Sequence, residues 1–200
     1  MSIPQKNVPN AELSLLPKES LPTMYDLPSE DPEEDGVPNL YHWQQGDLLR
    51  KTCKPIDYYP DQLFTASDLN LYYDVNHTKW YKRPDWFLVI GVDSLYKKTE
   101  SRQSYVIWQE EISPLIVVEL LSPGTAKEDL GKKATKAELE RDNDVEIKES
   151  KSPTPKWEVY EKILKVPYYF VFSDISNKLR YFKLVNGEYK EQILEKNTPV

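Results

Sequence analysis

A single cysteine, Cys53, is the only thiol in this chain of 200 residues. No internal disulfide can form, and one isolated thiol fits a reducing compartment better than a secreted, stapled scaffold. Long apolar runs are missing as well. The longest, Leu115 to Leu121, is interrupted by Glu119 and falls far short of the ~20 residues a membrane helix needs. The amino-terminal stretch has no apolar core of the kind a signal peptide uses. The expectation is a cytoplasmic protein with no membrane contact. Basic excess is lacking too. The formal net charge is −7, which argues against a generally basic nucleic-acid binder, because phosphate contacts depend on lysine and arginine. The acidity is uneven, with 5 basic and 10 acidic side chains in residues 1–60 but 21 and 23 in residues 61–200. The second part is nearly neutral and leaves room for a local basic surface. There is no internal repeat, no Gly-rich phosphate loop and no dinucleotide fingerprint.

What is present fits one domain, and a folded chain of this length buries roughly 70% of the surface its unfolded form exposes. Residues 1–36 are rich in proline and acids without apolar periodicity, which predicts a poorly ordered or surface-wrapping arm ahead of a single domain over 37–200. A short helix is expected near Tyr41 to Lys51, weakened by Gly46. Strands are expected at residues 69–75 and, after a hairpin return, at Trp86 to Val92, whose two apolar faces describe an interior strand. YVIWQE and PLIVVELLS supply two further strand candidates. Residues 126–155 carry 15 charged side chains and no aromatic, the composition of a charged, flexible insertion that deletion should not harm. Thr154 as N-cap and Pro155 at the first helical position open a helix that buries Trp157, Tyr160 and Leu164, widened by Ile163. YYFVFS, LRYFKLV and EYKEQIL complete the pattern as strands, the last two joined through Asn186-Gly187, a hairpin signal.

Glu119 is the most informative residue. It interrupts a buried strand, where a carboxylate must either take up a proton or find a cation or hydrogen-bond donors. Strand alternation puts Val117, Glu119 and Leu121 on one face. Either the glutamate is salt-bridged at a strand end or it is functional, since strand ends of α/β proteins border ligand sites. Asp85, between Pro84 and the apolar run from Trp86, serves either as a turn former or as a ligand. Two carboxylates on neighbouring strands repel, and a hard ion such as Mg²⁺ relieves that repulsion and can activate water at a phosphodiester. On this reading Glu119→Gln is neutral or stabilising in metal-free protein. Lys82 and Arg83, just before Pro84, are candidates for phosphate contact, or ordinary surface cations. His77 is a weak candidate base and His42 a weaker one. Cys53 lacks a second cysteine for a zinc site and a partner for nucleophilic chemistry.

RPDWFLVIGV, then VVELLSPGT, then KWEVYEKILKVPYYFVFS resembles a bacterial family of small restriction-endonuclease-like proteins within the PD-(D/E)XK nuclease superfamily, expanded in photosynthetic bacteria. The resemblance covers about residues 68–185. It implies an α/β fold with a restriction-endonuclease-like mixed sheet flanked by helices, and a site in which Asp85 and Glu119 ligate Mg²⁺ or Mn²⁺. The superfamily places a lysine two residues after the glutamate, where this chain has Leu121. The family draws that lysine from the following helix, which carries the role onto Lys156, with Lys127 or Lys132 next in line. Tyr160, one turn beyond Lys156, either joins the site or belongs to the core.

The resemblance thus implies a Mg²⁺-dependent hydrolase acting on DNA phosphodiester bonds, with a homodimer as the assembly. Leu121 and the acidic total favour an alternative, a catalytically silent nuclease-fold protein serving as a nucleic-acid or protein interaction module. A third reading is a structural or regulatory protein whose two acids are merely salt-bridged.

Overall fold

A computed structural model describes residues 16–28, 40–55, 57–59, 62–142, 153–173 and 175–193. A six-stranded mixed sheet organises the chain in the order β1 (Leu63–Ala66), β4 (Trp86–Ile90), β6 (Ile116–Leu120), β7 (Tyr168–Ser173), β8 (Lys178–Val185) and β9 (Glu188–Gln192). β6 and β7 pair in parallel, and every other neighbouring pair is antiparallel. A smaller sheet joins β3 (Tyr81–Lys82), β2 (Leu71–Tyr72) and β5 (Tyr105–Val106). The apolar run from Trp86 does form an interior strand, and all five residues of β4 are buried. Parallel pairing requires a crossover between β6 and β7. It contains α3 (Ala126–Leu130), α4 (Lys136–Asp142) and α5 (Lys156–Glu158), the last continuing as a π-helical turn over Val159–Ile163.

The two faces of the sheet have different cores. Phe87, Val117, Tyr169, Val171 and Phe182 face Leu130, Trp157, Tyr160 and Leu164 from the crossover. The Trp157 indole meets Phe182 and Tyr189 edge-on, at centroid distances of 5.0 and 5.1 Å. On the other face Trp86, Leu88 and Val118 pack with Leu49 and Cys53 from α1 (Leu40–Thr52) and its end. Gly46, the buried residue of α1, lets the helix approach β1, because a Cβ there would lie 2.4 Å from Ser67 Oγ. Asn186 and Gly187 take φ of 53° and 78°, the left-handed pair a two-residue hairpin demands.

Four expectations need correction. Residues 69–75 shorten to the two-residue β2. YVIWQE is not one strand: β5 stops at Val106 and a helical turn, α2 (Ile107–Glu110), follows. Contacts with the segment 16–28 override local strand propensity there, as Trp108 Nε1 donates to Pro22 O at 2.7 Å and Gln109 Nε2 to Leu21 O at 3.0 Å. Met24 and Leu27 of that segment are buried against Tyr72, Tyr96 and Val106, while 1–15 and 29–36 of the expected arm lie outside the described residues.

The first half of the expected flexible insertion 126–155 is a packed element. Ala126 and Leu130 belong to the core, and Asp142, 4% exposed, accepts the N–H groups of Gly124, Ala126 and Lys127 at 2.8, 3.4 and 3.2 Å. Charge density misled because Asp142 and Glu128 accept backbone N–H groups and Asp129 is buried beside Lys156. Residues 143–152 lie outside the described part. The helix start is also different. Pro155 holds the cap position with no side-chain cap bond, and the Lys156 N–H instead donates to Glu128 Oε1 at 3.1 Å, a carboxylate at the positive end of the helix.

Candidate active site

Antiparallel register brings the first two site residues together. Trp86 faces Val118 across β4 and β6, so the next pair outward is Asp85 and Glu119, on the same face at the same end of two interior strands. The Asp85 N–H donates to Glu119 Oε2 at 3.4 Å, and Asp85 Oδ2 accepts the Leu120 N–H at 2.5 Å. Glu119 is 0% exposed. Its Oε2 also accepts Lys156 Nζ at 2.7 Å, and its Oε1 accepts the Tyr160 hydroxyl at 2.8 Å. Lys156 therefore reaches from α5 to Glu119, and Tyr160 is a core residue that also touches the carboxylate.

Burial pushes the Glu119 carboxyl well above its ordinary value, with Asp85 and Asp129 pushing the same way and Lys156 opposing. Burial alone would lower Lys156, but Glu119, Asp129 and Asp85 outweigh it and hold the ammonium protonated. The Tyr160 phenol is pushed up by burial and then by Glu119, so it remains a donor.

Three neighbours of the pair come from elsewhere in the chain, two of them, Asp129 and Asp68, not among the candidates read from the sequence. Asp129 on α3 is 3% exposed, and its Oδ1 lies 3.6 Å from Lys156 Nζ with no hydrogen-bond partner among the described residues. Burial raises its pKa to about 6 against the pull of Lys156. His42, set aside as the weaker histidine, comes from α1 to place Nε2 4.0 Å from Asp85 Oδ2. Asp68 stands near enough to Asp85 that, after burial, the Asp85 charge raises its pKa further.

The other candidates are held by other partners or lie exposed. Lys82 is 3% exposed, and its Nζ is paired with Glu128 Oε1 at 2.5 Å. That burial removes it from phosphate contact and makes it part of the α3–α5 junction. Arg83 is half-buried and its Nε donates to Asn70 Oδ1 at 2.9 Å. His77 stacks on Trp80 at 3.8 Å and pairs with Asp74, away from the acids. Lys127 and Lys132 are exposed. The half-buried Cys53 thiol is pushed up by burial.

Three carboxylates, Asp85, Glu119 and Asp129, thus surround one ammonium. Among the described residues no group of three or more acidic, histidine or cysteine side chains forms a ready cage for a metal ion. Asp85 and Glu119 meet a smaller demand, because Mg²⁺ keeps several waters and is commonly bound through one or two carboxylates. The donors are all hard oxygens, the type that Mg²⁺ takes. Asp85, with 18% of its side chain exposed, is the acid of the pair that solvent reaches.

The model of the Uma2 family, described as putative restriction endonuclease, matches residues 13–200. No curated protein matches the chain. Among solved structures, a putative nuclease from Anabaena variabilis aligns with a TM-score of 0.43 and 13% identity, covering 81% of this chain and 70% of that one. Among the described residues no helix is long and apolar enough to cross a membrane.

Proposed function

The chain belongs to the Uma2 family of putative restriction endonucleases, and on that premise we propose that it is a Mg²⁺-dependent nuclease of the PD-(D/E)XK type that hydrolyses DNA phosphodiester bonds. One observation carries this reading. Asp85 and Glu119 meet across β4 and β6, and Lys156 Nζ lies 2.7 Å from Glu119. Asp85 and Glu119 would hold the ion, which when bound supplies Lewis-acid stabilisation and a more acidic water. The protein does the positioning. Tyr160 fixes Glu119, Glu119 and Asp129 orient the Lys156 ammonium, and that ammonium orients the attacking water and stabilises charge growing on the phosphate oxygens as the P–O bond breaks.

A second reading, a catalytically silent interaction module, is favoured by one feature. Glu119 is fully buried, with both oxygens already accepting from Lys156 and Tyr160. A nuclease assay with Mg²⁺ or Mn²⁺ over single-stranded, duplex and supercoiled DNA decides between them. Cleavage by the wild type and none by Glu119→Gln supports the nuclease. No cleavage of any form, with DNA binding retained, supports the module.

A further inference from the structure

On the opposite face of the sheet from Glu119, a cavity of about 360 Å³ lies between α1 and the end of β1, lined by Trp43, Asp47, Arg50, Ser67, Asp68 and Trp86. We propose that this cavity is a nucleobase site, holding the base of a nucleotide that flanks the phosphate bound at Asp85 and Glu119. The proposal rests on the nuclease reading for its polymer and on the cavity's own chemistry for its ligand.

Three features select a flat, neutral, hydrogen-bonding ring. Trp43 is 61% exposed at the rim, an indole face of the kind on which bases stack regardless of sequence. Trp86, 1% exposed, closes the floor of the cavity. Asp68 offers a carboxyl that can bond a base's amino group. Asp47 is already held by Arg50 at 2.9 Å and Lys51 at 2.5 Å, so Arg50 is neutralised by its own helix. Asp47 is spent on these two cations, and Asp68 is the lining carboxylate that opposes a phosphate, which leaves the base as the part of a nucleotide that this cavity accepts.

The cavity also has the right address. Asp68 lines it and at the same time stands within the electrostatic reach of Asp85, His42 and Lys156. The Asp68 N–H donates to Pro84 O at 3.1 Å, tying the cavity wall to the residue before Asp85. A strand passing the end of β4 therefore meets the acids with its phosphate and the cavity with an adjoining base. The volume lies within the usual range for small-molecule sites, about 300–1,000 Å³.

Saturation-transfer NMR on the full chain with each of the four free deoxynucleosides, for wild type, Trp43→Ala and Glu119→Gln, tests this directly. At least one nucleoside should bind the wild type and Glu119→Gln alike. Trp43→Ala, at an exposed position that the fold does not depend on, should weaken binding roughly 5- to 150-fold, the loss of one base–aromatic stack. Hydrolysis of bis(p-nitrophenyl) phosphate, which carries no base, reads the metal-dependent chemistry separately. Hydrolysis without nucleoside binding, or binding indifferent to Trp43→Ala, overturns the base site and leaves the nuclease reading standing. Nucleoside binding lost in Trp43→Ala, with no hydrolysis by any variant, supports the base site and overturns the nuclease reading.

Discussion

At the scale of single residues, the ion pair of Glu119 and Lys156 changes what a mutation should do. Two acids with too little countercharge would make Glu119→Gln harmless, but Lys156 and Tyr160 supply the missing donors. Breaking one side of a buried pair leaves the other charge uncompensated. Glu119→Gln should therefore destabilise metal-free protein by about 3–5 kcal/mol, and pairing it with Lys156→Met should recover part of that loss, both read by urea unfolding. Asp129 gives a pH-dependent counterpart. Its carboxyl is raised from 3.8 to about 6, by burial first, so the folded state holds a proton that the unfolded state releases earlier. The stabilisation from that proton is complete below 3.8 and is lost as pH rises through about 6. The loss amounts to roughly 3 kcal/mol at 1.36 kcal/mol per pH unit. Asp129→Asn should remove this slope, and unfolding curves at pH 4 and 7 that fall equally for both proteins would show that the titration lies elsewhere.

At the scale of elements, the crossover between β6 and β7 is where composition and structure part. Ala126 and Leu130 are core residues inside a charged stretch, so deleting α3 should abolish cooperative unfolding rather than leave the fold intact. Gly131 ends α3 with φ +50° and ψ −126°, backbone that other residues adopt only with strain. A Cβ there would lie 2.9 Å from the Trp157 ring. Gly131→Ala should cost about 1–3 kcal/mol from backbone strain alone, with a further loss from the displaced indole that anchors α5 and hence Lys156. The drop in melting temperature checks the first, and a parallel fall in nuclease activity at low temperature checks the second.

At the scale of the whole molecule, an ion held at the meeting point of two strands couples binding to folding. Wild type should gain roughly 2.7 kcal/mol of stability when free Mg²⁺ is 100 times its dissociation constant, and Asp85→Asn should lose most of that gain. Melting curves with and without the ion measure it. Wild type unmoved by Mg²⁺ or Mn²⁺ would mean that Lys156 already satisfies the site, and would favour the interaction module.

What the sequence determined by itself was whatever depends on neighbours along the chain. The two-sided apolar pattern of β4, the carboxylate breaking the run of β6, and the Asn186-Gly187 turn are local signals, and each follows from strand alternation or turn stereochemistry. The faces of Glu119 and Val117 were legible for the same reason. Register, burial of charge and the company a side chain keeps were decided only in three dimensions. Asp129, Glu128 and Asp142 look like any solvated acids in residues 126–155 until the crossover folds them against Lys156, the start of α5 and the start of α3. His42 looks idle until α1 lays it beside Asp85. A buried charge is stable only through partners that are distant in sequence, and no spacing of letters along one strand or helix records where those partners will be.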